Sequence, residues 1–145
     1  AVTNAGSNNV SILLNTTGQG TPPPPDVTPP TVTCAASPNT LWPPNHKLVN
    51  VSVSVNVSDS GSGPAGFKLL SVTSSEPDNG LGDGDTAGDI QGWSTGTADT
   101  SGQLRAERSG KGPGRTYTLT YQGMDAAGNT ANCVTTVNVP HDQRP

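Results

Sequence analysis

Fourteen consecutive residues of this chain, Glu76 to Asp89, hold five of its eleven carboxylates: Glu76, Asp78, Asp83, Asp85 and Asp89. Like charges packed so closely repel one another unless something positive sits among them. Glycines at 80, 82, 84 and 88 let the backbone fold back and offer carbonyls inward. Hard oxygen donors on a pliable loop suit Ca²⁺, which takes about six to eight oxygens at about 2.3–2.6 Å; Mg²⁺, which wants a stiffer octahedron, ranks second. The expected metal ligands are Glu76, Asp78, Asn79, Asp83, Asp85 and Asp89. The competing reading is an acidic hairpin tip that is merely solvated. An EF-hand is excluded: Asp83 and Asp85 fit its first and third positions, but Ala87 and Ser94 stand where an acid or amide and the closing Glu belong. A site of this kind in an extracellular module binds at about 10⁻⁴–10⁻³ M and braces its loop.

Four of the seven basic residues, Arg105, Arg108, Lys111 and Arg115, fall within eleven positions. They serve either to pair Arg105 or Arg108 with the acidic loop or to form a patch for an anionic ligand. The first reading is preferred, because little aromatic interleaving supports nucleic-acid binding. The net charge of −4 argues the same way. Trp42 and His46, in the segment Leu41 to Lys47, and Trp93 are the candidate ligand-binding residues, for sugar stacking or a metal. The structural alternative has Trp42 capping the end of the fold while Pro43-Pro44-Asn45 turns the chain. Asp125-Ala126-Ala127-Gly128-Asn129 reads as a hairpin turn and not as a site. No catalytic constellation emerges. No Ser in a Gly-x-Ser-x-Gly setting is matched by a His partner, and paired carboxylates without an enclosing aromatic cleft do not make a glycosidase.

The two cysteines, Cys34 and Cys133, fall in the first and last strands of the main domain. That placement suggests one disulfide closing a loop of 133 − 34 − 1 = 98 residues, and with it an oxidising compartment, secreted, periplasmic or cell-surface. Two buried free thiols are the alternative. A two-cysteine zinc site is disfavoured, since His46 and His141 lack the spacing.

The elements that must carry these residues are strands. Val, Leu, Ile and Phe total 25 of 145 residues, while Gly and Pro total 32. With Ser, Thr and Asn abundant, that mix disfavours helices and suits short strands between tight turns. Leu48 to Asp59 alternates Val49, Val51, Val53, Val55 and Val57 with polar residues, one face inward and the other wet. Arg115 to Gly123 repeats the pattern with Tyr117, Leu119 and Tyr121. Ala131 to Val139 puts Cys133, Thr135, Val137 and Val139 on one side. Weaker strands are expected at Thr31–Ala35, Phe67–Ser74, Ile90–Trp93 and Gln103–Arg108. Seven strands between Gly, Pro, Asn and Asp clusters make an all-β sandwich, with its strand order open. Residues 1–20 hold one orphan strand, Asn9 to Asn15; 21–30 are a proline-rich linker of polyproline II character; 31–140 are the sandwich; 141–145 are a tail. No apolar run is long enough to span a membrane.

Asp26-Val27-Thr28-Pro29-Pro30-Thr31-Val32-Thr33-Cys34 together with Tyr121-Gln122-Gly123-Met124-Asp125-Ala126-Ala127-Gly128-Asn129-Thr130-Ala131-Asn132-Cys133 resembles bacterial immunoglobulin-like domains of the hyalin-repeat type. The resemblance implies an immunoglobulin-like sandwich with Cys34 bonded to Cys133. Residues 76–115 are longer than in a compact repeat, so it is silent on the acidic loop. Residues 1–15 are similar to the closing strand of an FG-GAP, integrin-α-like propeller blade. The expectation is therefore a non-catalytic structural or adhesion module, disulfide-tied and calcium-stabilised, of a larger secreted or cell-surface bacterial protein. Its partners are other domains of that protein and a cell-surface glycan or protein. A carbohydrate- or protein-binding module, and a subunit that assembles by strand exchange through Asn9–Asn15, are the alternatives.

Overall fold

In the computed structural model, which describes residues 22–79 and 86–142, seven strands form two antiparallel sheets. They are β1 (Thr31–Ser37), β2 (Leu48–Ser58), β3 (Pro64–Ser74), β4 (Ile90–Gln91), β5 (Ser101–Arg105), β6 (Gly114–Asp125) and β7 (Thr130–Pro140). One sheet runs β1-β2-β5-β4 and the other β3-β6-β7. This is the strand order of a constant-type immunoglobulin sandwich. The orphan strand expected at Asn9–Asn15 lies outside the described residues.

Period-two patterning determines which side chains meet between the sheets. On β2, Val51 and Val53 are buried while Asn50, Ser52, Ser54 and Asn56 face outward. The inward row of β6 is Arg115, Tyr117, Leu119, Tyr121, Gly123 and Asp125, every one of them buried. Two tyrosine rings, a leucine and a glycine fill its middle, and each end is a charge. Leu41, Leu69, Leu104, Ala106, Val137 and Val139 complete the core with the β2 valines. Phe67 meets Tyr121 edge to face, with ring centroids 6.0 Å apart.

Gly123 explains how β1 reaches that core. A Cβ there would lie 2.6 Å from Val32 Cγ2 and 2.9 Å from Val57 Cγ2, so two valines of the opposite sheet close directly on bare backbone. Gly123→Ala is expected to cost about 1–3 kcal/mol through overpacking, read as a lower midpoint in denaturant. Val32→Ala added to it recovers part of the loss if this contact is the cause.

The first and last strands lie alongside each other in the same direction, since Ala36 N–H donates to Thr135 Oγ1 and Cys34 is disulfide-bonded to Cys133. Past the end of β1 the chain continues along β7: Leu41 N–H donates to Asn138 O and Asn138 N–H to Asn39 O. The linker therefore enters at one pole of the sandwich and the chain leaves β7 at the other, about 35 Å away at ~3.3 Å per residue. These are named here the linker pole and the exit pole.

Candidate functional site

The exit pole is where the chain's acidic and basic clusters meet. Arg115, the inward residue at the start of β6, is 1 % exposed. Its guanidinium donates to Asp89, to Glu76 Oε2 at 3.3 Å, to Tyr117 Oη at 3.1 Å and to Pro77 O. Asp89, 2 % exposed, also accepts from Arg105 Nε at 3.1 Å. Arg105 further holds the carbonyls of His46, Ala87 and Gly88. Burial pushes the Asp89 carboxyl above its ordinary range, and Arg115 opposes that shift. Burial works against the Arg115 charge as well, but hydrogen bonding to Tyr117 and Asp89 outweighs it and keeps the guanidinium charged. The Tyr117 hydroxyl, buried and donating to Arg105 O, is pushed up to about 12.

The expected metal ligands divide accordingly. Glu76 accepts from Ser109 N–H as well as from Arg115, and Asp89 is held by two arginines. The positive charge that their crowding demanded is supplied, at these two residues, by guanidinium groups. Asp78 accepts from the amides of Gly88 and Asp89 at 2.8–3.1 Å, which hold its carboxyl below the usual range. Asn79 sits exposed in a left-handed turn with φ of 58°. Asp83 and Asp85 lie outside the described residues. Of the two expected pairings with the loop, Arg105 makes one. Arg108 instead clamps the chain's way out, donating to Pro140 O, Ser109 O and His141 O.

The aromatic candidates part company. Trp42 is 43 % exposed. Trp93 packs on the core, its Nε1–H donating to Gln103 O at 3.3 Å. Its indole occupies the space over Gly102, where an added Cβ would lie 2.4 Å from the ring. Filling that space is a packing role.

A second polar group forms at the linker pole, and sequence reasoning did not find it. Asp26 from the linker, Asp59 after β2 and Asp125 at the end of β6 bring one carboxylate oxygen each to within 4.8 Å of one another. Asp125 is buried and the other two are half-buried. Amides donate to all three: Asp26 accepts from Thr28 and Ser62 N–H, Asp59 from Gly63 N–H, and Asp125 from Ala127 and Asn129 N–H and from Asn129 Nδ2–H. The Thr28 and Ser62 amides hold the Asp26 carboxyl below the ordinary carboxylate range. Among the described residues none of the three forms an ion pair. The 125–129 segment is the hairpin turn expected of it, and its aspartate also faces two others. Each of these residues reads singly as a turn-former, since an Asp that caps nearby amides is ordinary turn chemistry. Only the fold brings positions 26, 59 and 125 together. Three carboxylate oxygens at that separation, with a half-open approach, are suited to a hard divalent cation.

Among the described residues no helix is long and apolar enough to cross a membrane. Comparison with protein-family models, with curated proteins and with solved structures returns no match.

Proposed function

We propose that this chain is a non-catalytic, load-bearing spacer or adhesion module of a larger secreted or cell-surface bacterial protein, braced by calcium. The observation that carries the reading is the position of the Cys34–Cys133 disulfide. It joins the first strand of the sandwich to the last, with the chain entering at one pole and leaving at the other. Tension applied through the two ends reaches the covalent bond after three residues of β1 and seven of β7. A module in series within a stalk or surface protein needs that property, whereas a disulfide buried between β2 and β6, as in antibody domains, would leave the terminal strands to peel. The bond also favours an oxidising location. The resemblance to hyalin-repeat-type domains agrees with this role.

Calcium has two candidate seats, the loop of residues 76–89 and the linker pole. The linker pole is preferred, because there the three carboxylates lack the arginine partners that Glu76 and Asp89 have. An ion held by Asp26, Asp59 and Asp125 would fasten the linker to the body of the domain and fix the angle at which the domain follows what precedes it.

Thermal unfolding of the oxidised protein with EDTA and with about 10 mM Ca²⁺ tests the calcium reading. At a dissociation constant of about 10⁻⁴–10⁻³ M, mass action adds roughly 1.4–2.7 kcal/mol, a rise of several degrees. Asp26→Asn and Asp59→Asn should each reduce the rise, whereas Asp83→Asn with Asp85→Asn should leave it. The opposite pattern would move the ion to the loop, and no rise at all would remove it. Tryptophan fluorescence through a polysaccharide titration tests the spacer reading. No change is expected, and a saturable change at Trp42 would favour a carbohydrate-binding module in its place. The spacer reading fails outright if the oxidised domain unravels at forces that merely straighten a disordered chain.

A further inference from the structure

Each pole of the sandwich grips the main chain that passes through it. At the linker pole the grip is Asn129, which closes the turn between β6 and β7. Its side-chain nitrogen donates to Asp26 O at 3.0 Å and to Asp125 Oδ2 at 2.8 Å, with Thr28 O alongside at 3.4 Å. All three partners can only accept, which fixes the orientation of the amide. Asn129 is itself held in place, because its N–H donates to Asp125 Oδ1 and its carbonyl accepts from Asp125 N–H. The linker contributes a side chain of its own. Asp26 accepts from Ser62 N–H at 2.9 Å, and its carboxylate rests on Gly61, where an added Cβ would lie 2.5 Å from Oδ2. Residues 26–30 are therefore tied to the folded body, although Val27 to Pro29 lie exposed on its surface.

The exit pole holds the leaving chain with the same parts. Arg108 donates through Nε to Pro140 O at 3.0 Å and through Nη2 to His141 O at 2.7 Å, so its planar fork spans two successive carbonyls. His141 Nε2 donates in turn to Gly110 O at 3.2 Å. Gly114 makes room for the strand, since a Cβ there would lie 2.7 Å from Val139 O and 3.2 Å from His141 N. At both poles, then, one donor side chain takes two main-chain carbonyls and a glycine admits the passing chain. Thr28 and His141 are exposed, and water could satisfy their carbonyls at little cost. Their capture by protein donors holds a direction and fills no core.

With the chain read as a module in series, we propose that Asn129 and Arg108 are clasps: they fix the directions in which the chain enters and leaves the sandwich, and make each pole a rigid joint toward the neighbouring domain. The clasp at the linker pole is built from protein donors alone, so it holds with or without an ion. Ahead of it stand Pro22 to Pro25, with no glycine or serine between them and Asp26. Consecutive prolines form a semi-rigid arm. A rotation imposed on that arm is carried into the sandwich and is not absorbed on the way. The partner this fits is a neighbouring domain of the same protein, set at one angle.

Backbone amide relaxation and residual dipolar couplings, measured on the oxidised full chain in EDTA, test this. In the wild type the order parameters of Val27, Thr28 and His141 are expected at about 0.85, as for Val53 in β2. Their couplings should fit the alignment of the sandwich. Asn129→Ala should drop Val27 and Thr28 below about 0.6 and leave His141 as it was, while Arg108→Ala does the reverse. Arg108→Lys should restore little of the order at His141, because an ammonium lacks the fork. If Asn129→Ala unfolds the turn, Gly61→Ala reaches the same clasp from the other side by displacing the Asp26 carboxylate, and should free the same two amides. Wild-type values below about 0.6 at Val27 or His141 would overturn the proposal with no variant needed. So would an Asn129→Ala protein that keeps its order at Val27, or order there that appears only on adding Ca²⁺, which would make the ion the clasp. None of these outcomes touches the spacer reading, which stands or falls on unfolding under load and on the polysaccharide titration.

Discussion

Pulled from its two ends in the oxidised state, the domain should lengthen by no more than about 10 Å, because Thr31–Thr33 and Val134–Pro140 already run extended along the line between the two poles. Reduction should release a further 320–350 Å or so in a single large step. The arithmetic is that of an extended chain: Cys34 and Cys133 are 99 residues apart in sequence and 6.0 Å apart at Cα, and each residue extends by about 3.3–3.6 Å. The same ring governs stability without load. Cross-linking a loop of about this length removes close to 4–5 kcal/mol of chain entropy from the unfolded state in the loop-closure model, as an upper figure. Domains of ordinary size have only about 5–15 kcal/mol in total. Denaturant titration of the oxidised and reduced forms should therefore show a large fall in midpoint on reduction, and a Cys34→Ser/Cys133→Ser variant should match the reduced form. A full-length step in the oxidised state, or coincident titrations, would mean that load and stability are carried elsewhere, and the spacer reading would lose its support.

The strands that carry the core were legible because alternation between apolar and polar residues is a direct image of a two-faced sheet. Val49 to Val57 and Tyr117 to Tyr121 announce themselves in this way, and β2 and β6 are the strands they predict. The thinner signals gave the right elements with displaced ends. β4 closes at Gln91 and not at Trp93, because Gly92 turns the chain with φ of 74° and Trp93 folds back over Gly102. β5 starts at Ser101 and stops at Arg105, because the chain must bend there for Glu107 to be buried beneath His46. Strand order was not legible, since nothing in a period of two says which neighbour a strand takes. The polar poles were half legible for a related reason. A cluster close in sequence, such as residues 76–89, stands out by composition, and its need for positive charge could be inferred. That Arg115 would meet that need could not, because Arg115 and Asp89 are 26 residues apart. The Asp26, Asp59 and Asp125 group has no local density at all and exists only through the fold. Arg115 and Asp125 are nonetheless the two ends of one alternating row. A strand pattern that runs past its apolar members into a charge at each end, with the period unbroken, is the signal that would have found both.

That row makes Arg115 the residue whose loss should matter most within the network. Arg115→Met keeps much of the length and apolar stem while removing the charge and the donors, leaving Asp89 buried with Arg105 alone and Glu76 without its guanidinium partner. Breaking a buried pair from one side costs about 3–5 kcal/mol, most of it the penalty on the charge left behind. Arg115→Lys should recover little, because a single ammonium cannot reproduce the fork that reaches Asp89, Glu76 and the Tyr117 hydroxyl together. Adding Asp89→Asn to Arg115→Met removes the stranded charge and should recover a substantial part of the loss, a coupling that a double-mutant cycle reads directly. The pH dependence supplies an independent sign. Burial already raises the Asp89 carboxyl, with Arg115 opposing it. Without Arg115 the folded protein must hold a proton on Asp89 at pH values where the unfolded chain has released it, so Arg115→Met should gain stability as pH falls through that folded-state value. The Arg115→Met/Asp89→Asn variant should lack that gain. A loss below about 1 kcal/mol for Arg115→Met would place the interaction in the range of an exposed surface pair, and would show that the exit pole is wet and loosely joined.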